Sequence, residues 1–139
     1  MKTKLKLDEQ LCFPLYALSR EITNLYRPLL EELNITYPQY LVLLVLWETN
    51  EQTVNQLGEK LRLDSGTLTP LLKRLEQKGI VNRSRSTKDE RIVLISLTNL
   101  GASLKEKAEC IPEKLVDSFG VSEDDLLHLK KIVNKILVK

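Results

Sequence analysis

The two cysteines of this 139-residue chain, Cys12 and Cys110, are the side chains best suited to covalent chemistry. Asp8 is placed to cap a helix, so Cys12 is expected one turn inside a helix N-terminus, where the positive end of the dipole favours thiolate over thiol. A thiolate attacks a peroxide to give a sulfenic acid, which then condenses with a second thiol or oxidises further. The inert alternative is a small hydrophobe on a packed face, and the residues alone leave both readings open. Cys110 lies in Lys107-Ala108-Glu109-Cys110-Ile111, with no obvious acidifying neighbour. Two thiols this far apart do not form a disulfide scaffold, and in a reducing compartment any bridge is conditional. The single histidine, His128, sits on a charged helix without ligand spacing and reads as surface. No metal or cofactor is implied.

The second chemistry is electrostatic. The formal net charge is only +2, yet residues 62–91 hold eight Lys or Arg against four Asp or Glu, and the rest of the chain holds 13 against 15. A local basic excess is the footprint of nucleic-acid binding, and its plainer counterpart is a solvated surface. Hydrophobic residues at 42%, with only five Gly and five Pro, indicate an ordered helical chain. The longest apolar run, Tyr40 to Trp47, is far short of the roughly 20 residues of a membrane span, and charges occupy the place of a signal-peptide core. A cytoplasmic protein is expected.

These residues need elements to position them. Leu11, Leu15, Leu18, Ile22, Leu25 and Leu29 recur at helical steps, predicting a helix from Asp8 to about Leu33, long enough to pack partly on a partner subunit. Pro14 disturbs its first turn and can delay its start. A buried helix is predicted from Tyr37-Pro38 through Trp47. Thr53 caps a short helix, Val54 to Leu61; after the turn Arg62-Leu63-Asp64 another helix runs from Ser65 to about Lys78 and ends at Gly79. Ile80 to Ser86 and Arg91 to Leu97 flank the polar turn 87–90 as a β-hairpin. From Thr98 a helical pattern returns through Leu115, with Pro112 as a bend, and Ser122 caps a final helix.

Two helices joined by a tight turn and followed by a basic hairpin have the order of a winged helix-turn-helix, whose second helix enters the major groove. On that helix Leu68, Leu71, Leu72 and Leu75 form the core face, leaving Ser65, Thr67, Thr69, Pro70, Lys73 and Arg74 outward to approach bases and phosphates. A mid-helix proline costs about 3 kcal/mol in an ordinary helix, so Pro70 marks a shaped, functional stretch. Arg83, Arg85, Lys88 and Arg91 make the hairpin a wing suited to the phosphate backbone. Asp89 is a support residue that pairs with Arg91, with an ordinary exposed ion pair as the plain alternative.

The runs Leu63 to Glu76 and Arg85 to Arg91 resemble the recognition helix and wing of the multiple antibiotic resistance regulator (MarR) family, and the likeness extends over nearly the whole chain. It implies a mainly α, winged helix-turn-helix homodimer whose N- and C-terminal helices interlock. The expected organisation is a single domain, 1–139, with dimerisation helices at 8–36 and 98–139 and a winged helix-turn-helix at 37–97, its wing at 80–97. The runs Leu11 to Tyr16, Tyr26 to Leu29 and Asn34 to Tyr40 are similar to the organic hydroperoxide resistance repressors within that family. That resemblance implies that Cys12 is the peroxide-reactive residue and that Tyr26 and Tyr37 reach its sulfur from the other subunit, with Tyr16 a weaker candidate. It leaves Cys110 either a resolving thiol across the dimer or a packed cysteine, with a low-molecular-weight thiol as the alternative acceptor.

The reading is therefore a non-enzymatic repressor that binds a palindromic DNA operator when reduced and releases it when an organic hydroperoxide oxidises Cys12. One competitor is a regulator that responds to a small phenolic ligand with Cys12 inert. Another is a thiol peroxidase, which would leave the basic wing unexplained and lacks a Cys-x-x-Cys pair.

Overall fold

The computed structural model describes residues 4–138, in two units that divide after Ala108. In the first, α1 (Phe13–Glu31), α2 (Tyr37–Glu48), β1 (Gln52–Thr53), α3 (Val54–Leu61), α4 (Ser65–Gln77), β2 (Val81–Arg85), β3 (Val93–Leu97) and α5 (Asn99–Ala108) follow one another. The second unit holds α6 (Ile111–Ser118) and α7 (Glu123–Leu137). This is the mainly α, winged helix-turn-helix order expected from the sequence.

Side-chain caps start α2, α3 and α4. The Thr36 hydroxyl accepts from Gln39 N at 3.4 Å, and Gln39 Oε1 accepts from Thr36 N at 3.0 Å. Thr53 and Gln56 repeat this reciprocal pair at α3, at 3.0 and 2.8 Å. At α4, Asp64 Oδ1 accepts from Thr67 N at 2.7 Å. Each cap satisfies amide donors that the first turn cannot pair internally, a contribution of about 1 kcal/mol. Arg62, at a left-handed φ of 57°, ends α3 and opens the turn into α4. Gly79, at φ +74°, ends α4 as expected, with Ile80 N donating to Leu75 O at 3.0 Å.

Three features differ from the sequence expectation. The first helix does not start at Asp8: residues Leu7–Glu9 form a single 3₁₀ turn, and α1 begins at Phe13 with Cys12 as its N-cap residue. Pro14 explains the delay, because it has no amide hydrogen to give the Gln10 carbonyl that a longer helix would present, and proline is welcome in a first turn. The stretch from Thr98 to Leu115 is not one helix. It stops at Ala108 and restarts at Ile111 with Cys110 as N-cap, so Pro112 again lies in a first turn instead of bending a continuous helix. Finally, β1 was not foreseen; it pairs antiparallel with β3 (Gln52 with Ile95) and gives the sheet order β1-β3-β2.

Amphipathic faces of both units are open in the isolated chain. Leu11, Phe13, Leu15 and Tyr16 are exposed, and Leu30 is the one buried residue of α1. In the second unit Ser122 Oγ accepts from Asp125 N at 3.1 Å to start α7. Of the apolar positions of α7, Leu126 and Val133 are half-buried and Leu129, Ile136 and Leu137 are exposed.

The core of the first unit is built on α4. Leu68, Leu72 and Leu75 are fully buried with Leu43, Leu46, Leu57 and Ile95, as α4 packs on α2, α3 and β2. Where α5 crosses the base of the hairpin, Ile80 O accepts from Thr98 N at 3.1 Å, and Gly101 O accepts from Trp47 Nε1 at 2.9 Å. A Cβ on Gly101 would collide with the Ile80 carbonyl and lie 3.1 Å from a Leu97 methyl. In Gly101→Ala a helix-propensity gain of about 1 kcal/mol is set against overpacking of about 1–3 kcal/mol on a backbone atom that cannot swing away. The expected result is a lower thermal midpoint by circular dichroism; an unchanged or higher midpoint would contradict this packing.

Candidate DNA interface and thiol site

Helix α4 separates its faces as the leucine spacing requires. Leu68, Leu72 and Leu75 are buried and Leu71 is half-buried, whereas Ser65, Thr67, Pro70, Lys73 and Arg74 are exposed. Thr69 is half-buried instead of fully outward, because it faces an open cleft of about 280 Å³ shared with Thr53, Asn55, Ser65, Arg83 and Arg91. The Asp64 carboxyl is held below the usual carboxylate range by the hydrogen bonds it receives from Thr67, which keeps the α4 cap charged. Pro70 removes only the bond to the Gly66 carbonyl, in the second turn, and the helix continues through it.

The wing is β2 and β3, registered from Val81 opposite Leu97 to Arg85 opposite Val93. Its tip is organised by Asp89, which accepts from Arg91 N at 3.0 Å and Arg91 Nε at 3.1 Å through Oδ1, and from Nη2 at 3.3 Å through Oδ2. The expected Asp89–Arg91 pair is therefore present as a two-pronged fork, with the Arg91 side chain 89% exposed. Arg85 Nη1 donates to Glu90 O at 2.8 Å, and Lys88 is exposed beside them.

Arg83 differs from the other wing cations. Its side chain is only 22% exposed, lies 3.8 Å from Glu76 of α4, and buries an Nε that has no partner among the described residues. It thus turns back to the recognition helix at the wing's base. Glu76 was missed in the sequence, although strand alternation puts Arg83 on the face of buried Val81.

The thiol and tyrosine residues separate into two groups. Cys12 is exposed at the start of α1. Tyr26, Tyr37 and Tyr40 cluster further on, with ring centroids 4.4 Å apart for Tyr26 and Tyr37 and 5.6 Å for Tyr26 and Tyr40. Burial raises the pKa of all three phenols, most strongly Tyr26, whose neighbours Tyr37 and Tyr40 add to it. Each phenol therefore keeps its proton and has a hydroxyl hydrogen available to donate. Cys12 precedes Tyr26 by fourteen residues, about 21 Å of helical rise, so one chain does not bring them together. Tyr16 is exposed beneath the Arg20 guanidinium, 5.7 Å from its ring centre. Cys110 is exposed in the second unit and His128 is exposed on α7. Among the described residues no three or more metal-ligating side chains form a group, and no helix is long and apolar enough to cross a membrane.

The family model described as transcriptional regulator SarA/Rot matches residues 24–108. The chain belongs to the SarA/Rot family of transcriptional regulators. This SarA/Rot regulator is 58% identical over 133 residues to the organic hydroperoxide resistance transcriptional regulator of Bacillus subtilis, covering 96% of this chain and 90% of that one. It also resembles AbfR of Staphylococcus epidermidis. Reduced AbfR bound to DNA matches with TM-score 0.78 at 42% identity, over 94% of this chain and 91% of that one. Overoxidised AbfR bound to DNA matches at 0.76 and disulfide-formed AbfR at 0.68, each at 41% identity over 94% and 92% of the two chains. The MarR-like winged-helix resemblance read from the sequence is thereby borne out.

The fork at the wing tip of this SarA/Rot regulator is directly measurable. Because the Arg91 side chain, then its backbone amide, holds the Asp89 carboxyl below its ordinary value of 3.8, carbon-detected NMR titration is expected to give Asp89 a low midpoint. Arg91→Ala should return it upward; an Asp89 midpoint that is ordinary in both proteins would mean that the fork does not persist in solution.

Proposed function

We propose that this regulator is a homodimeric repressor that binds a palindromic duplex when Cys12 is reduced and releases it when Cys12 is converted to a disulfide. The observation that carries the reading is the separation of Cys12 from the tyrosine cluster along α1. A thiol whose sequence neighbours Leu11, Phe13, Leu15 and Tyr16 are exposed, far from the phenols that would serve it, is complete only with a second copy. In a two-fold dimer each Cys12 meets Tyr26 and Tyr37 of the partner subunit, and the exposed apolar starts of α1 are covered in the same step. The organisation that follows is one domain with dimerisation helices at 8–36 and 98–139 around a winged helix-turn-helix at 37–97, acting in the cytoplasm without a cofactor.

In this arrangement Ser65, Thr67, Thr69, Pro70, Lys73 and Arg74 meet the major groove, with the two copies of α4 about one helical turn, near 34 Å, apart. Arg85, Lys88 and the Asp89-oriented Arg91 meet the flanking backbone and minor groove, and Arg83 serves from the wing's base.

The Cys12 thiolate attacks the terminal oxygen of an organic hydroperoxide; the S–O bond forms, the O–O bond breaks, and the alkoxide takes a proton from water to leave as an alcohol. Sulfur is oxidised by two electrons and becomes sulfenic acid. A second thiol, from Cys110 of the partner subunit or a small molecule, then displaces water to form the disulfide. Phenol donors at Tyr26 and Tyr37 stabilise the thiolate before attack. That overoxidised AbfR is a DNA-bound structure supports assigning release here to disulfide formation instead of oxygen addition.

The test uses a duplex enriched from a random-sequence pool on the reduced wild type. Addition of an organic hydroperoxide with a small thiol is expected to release it from wild type and not from Cys12→Ser. Equal release from both would favour a cysteine-independent, ligand-type response, and no release from wild type would remove the sensor reading while leaving DNA binding. A nonreducing gel after hydroperoxide alone is expected to show a covalent dimer that Cys110→Ser abolishes. A monomer band in wild type would exclude the intersubunit bridge and assign the second thiol to a small molecule.

A further inference from the structure

The residue that caps the end of the recognition helix is tied to the chain that carries Tyr37. Lys78, the C-cap of α4, donates through Nζ to the Asn34 carbonyl at 2.7 Å and to Gln39 Oε1 at 3.2 Å. These two acceptors flank Tyr37 in sequence. Asn34 holds the left-handed φ of 55° that turns the chain out of α1. Gln39 is 1% exposed, and the same Oε1 accepts from Thr36 N at 3.0 Å in the α2 cap. A cation at the C-terminus of α4 also meets the negative end of that helix, and ammonium-to-oxygen bonds partly out of water are stronger than neutral ones. The bridge thus joins a rigid helix end to a corner whose shape is set by one strained residue and one buried amide.

We propose that Lys78 is a positioning residue that couples the Tyr37 corner to the recognition helix, so that a change at the corner is passed to the DNA-facing residues of α4. The inference rests on the sensing reading above, in which the partner's Cys12 meets Tyr37. Direct packing of α2 on α4 lacks this directional tie, because apolar surfaces slide where a two-acceptor ammonium bridge does not. Coupling is reciprocal: if the corner biases α4, then duplex binding perturbs the corner. The single tryptophan, Trp47, reports on it, since its ring lies 6.3 Å from that of Tyr40.

The experiment compares wild type, Lys78→Met and Lys78→Arg on the duplex enriched by the reduced wild type, before and after hydroperoxide with a small thiol. Reduced Lys78→Met is expected to bind within about threefold of wild type but to lose about tenfold less affinity on oxidation, the size of a typical coupling, while Lys78→Arg keeps most of the response. Release of Lys78→Met as complete as that of wild type overturns the proposal. So does a Lys78→Met that is folded by circular dichroism yet fails to bind when reduced, because the bridge would then only hold α4 in place. If wild type itself ignores hydroperoxide, the sensing reading fails separately and Trp47 emission decides the bridge. A duplex-induced emission change in wild type that Lys78→Met loses while still binding sustains it; no change in wild type, or the same change in both, overturns it.

Discussion

An α-helix advances about 1.5 Å per residue and cannot fold back on itself, and that rigid rise governs how this molecule can use its thiol. Cys12 at the head of α1 and Tyr26 near its foot are parts of one rod, so no rearrangement within the helix unites them. The apolar side chains around Cys12 are also exposed, and an exposed group of this kind calls for a partner surface. One two-fold operation answers both demands: the residue that approaches a thiol from outside is the same residue on the other copy. The length of α1 therefore acts as the ruler of the proposed sensor.

The cations of the basic segment divide their work by exposure. Arg91, held by Asp89 and open to solvent, has its direction fixed before any ligand arrives, which lowers the ordering cost of a contact. Arg83, drawn to Glu76 and mostly out of solvent, is suited to fixing the angle between wing and recognition helix. The exposed fork is worth little as an ion pair. Its value is orientation.

Much of this was legible in the sequence because it rests on local chemistry. Thr53 before Val54 and Gly79 after α4 state the outer helix-turn-helix boundaries through capping and left-handed geometry, and the β-branched runs on either side of Thr87 to Glu90 state the hairpin. The face of α4 followed from leucine spacing. What was not legible depends on contacts distant in the chain. Strand β1 is two polar residues recruited by the backbone of β3, a pairing without local periodicity. Arg83 reads as one more wing cation until Glu76 lies beside it, and Lys78 as a solvated helix end until Asn34 and Gln39, 44 and 39 residues away, accept from it. The displaced starts at Cys12 and Cys110 are an intermediate case: Pro14 and Pro112 each carried the signal, and each marks a first turn, whereas the periodicity of the neighbouring leucines argued for unbroken helices.

A switch requires an interaction that differs between its states, and the proposed site contains one of suitable size. Protonated phenols donate to a thiolate in charge-assisted bonds stronger than neutral ones. Conversion to a disulfide removes the negative charge and most of the acceptor strength of sulfur, so half-buried hydroxyls at Tyr26 and Tyr37 lose their best partner, at about 1–3 kcal/mol for each polar group left unsatisfied. They must then turn to other acceptors, and the rings that carry them are packed against one another. That cost is of the order of an ordinary allosteric coupling, about 1–3 kcal/mol. In the proposed dimer, a single covalent change at the head of one α1 would therefore disturb the opposite subunit's tyrosine corner by the size of an ordinary allosteric coupling, without any element unfolding.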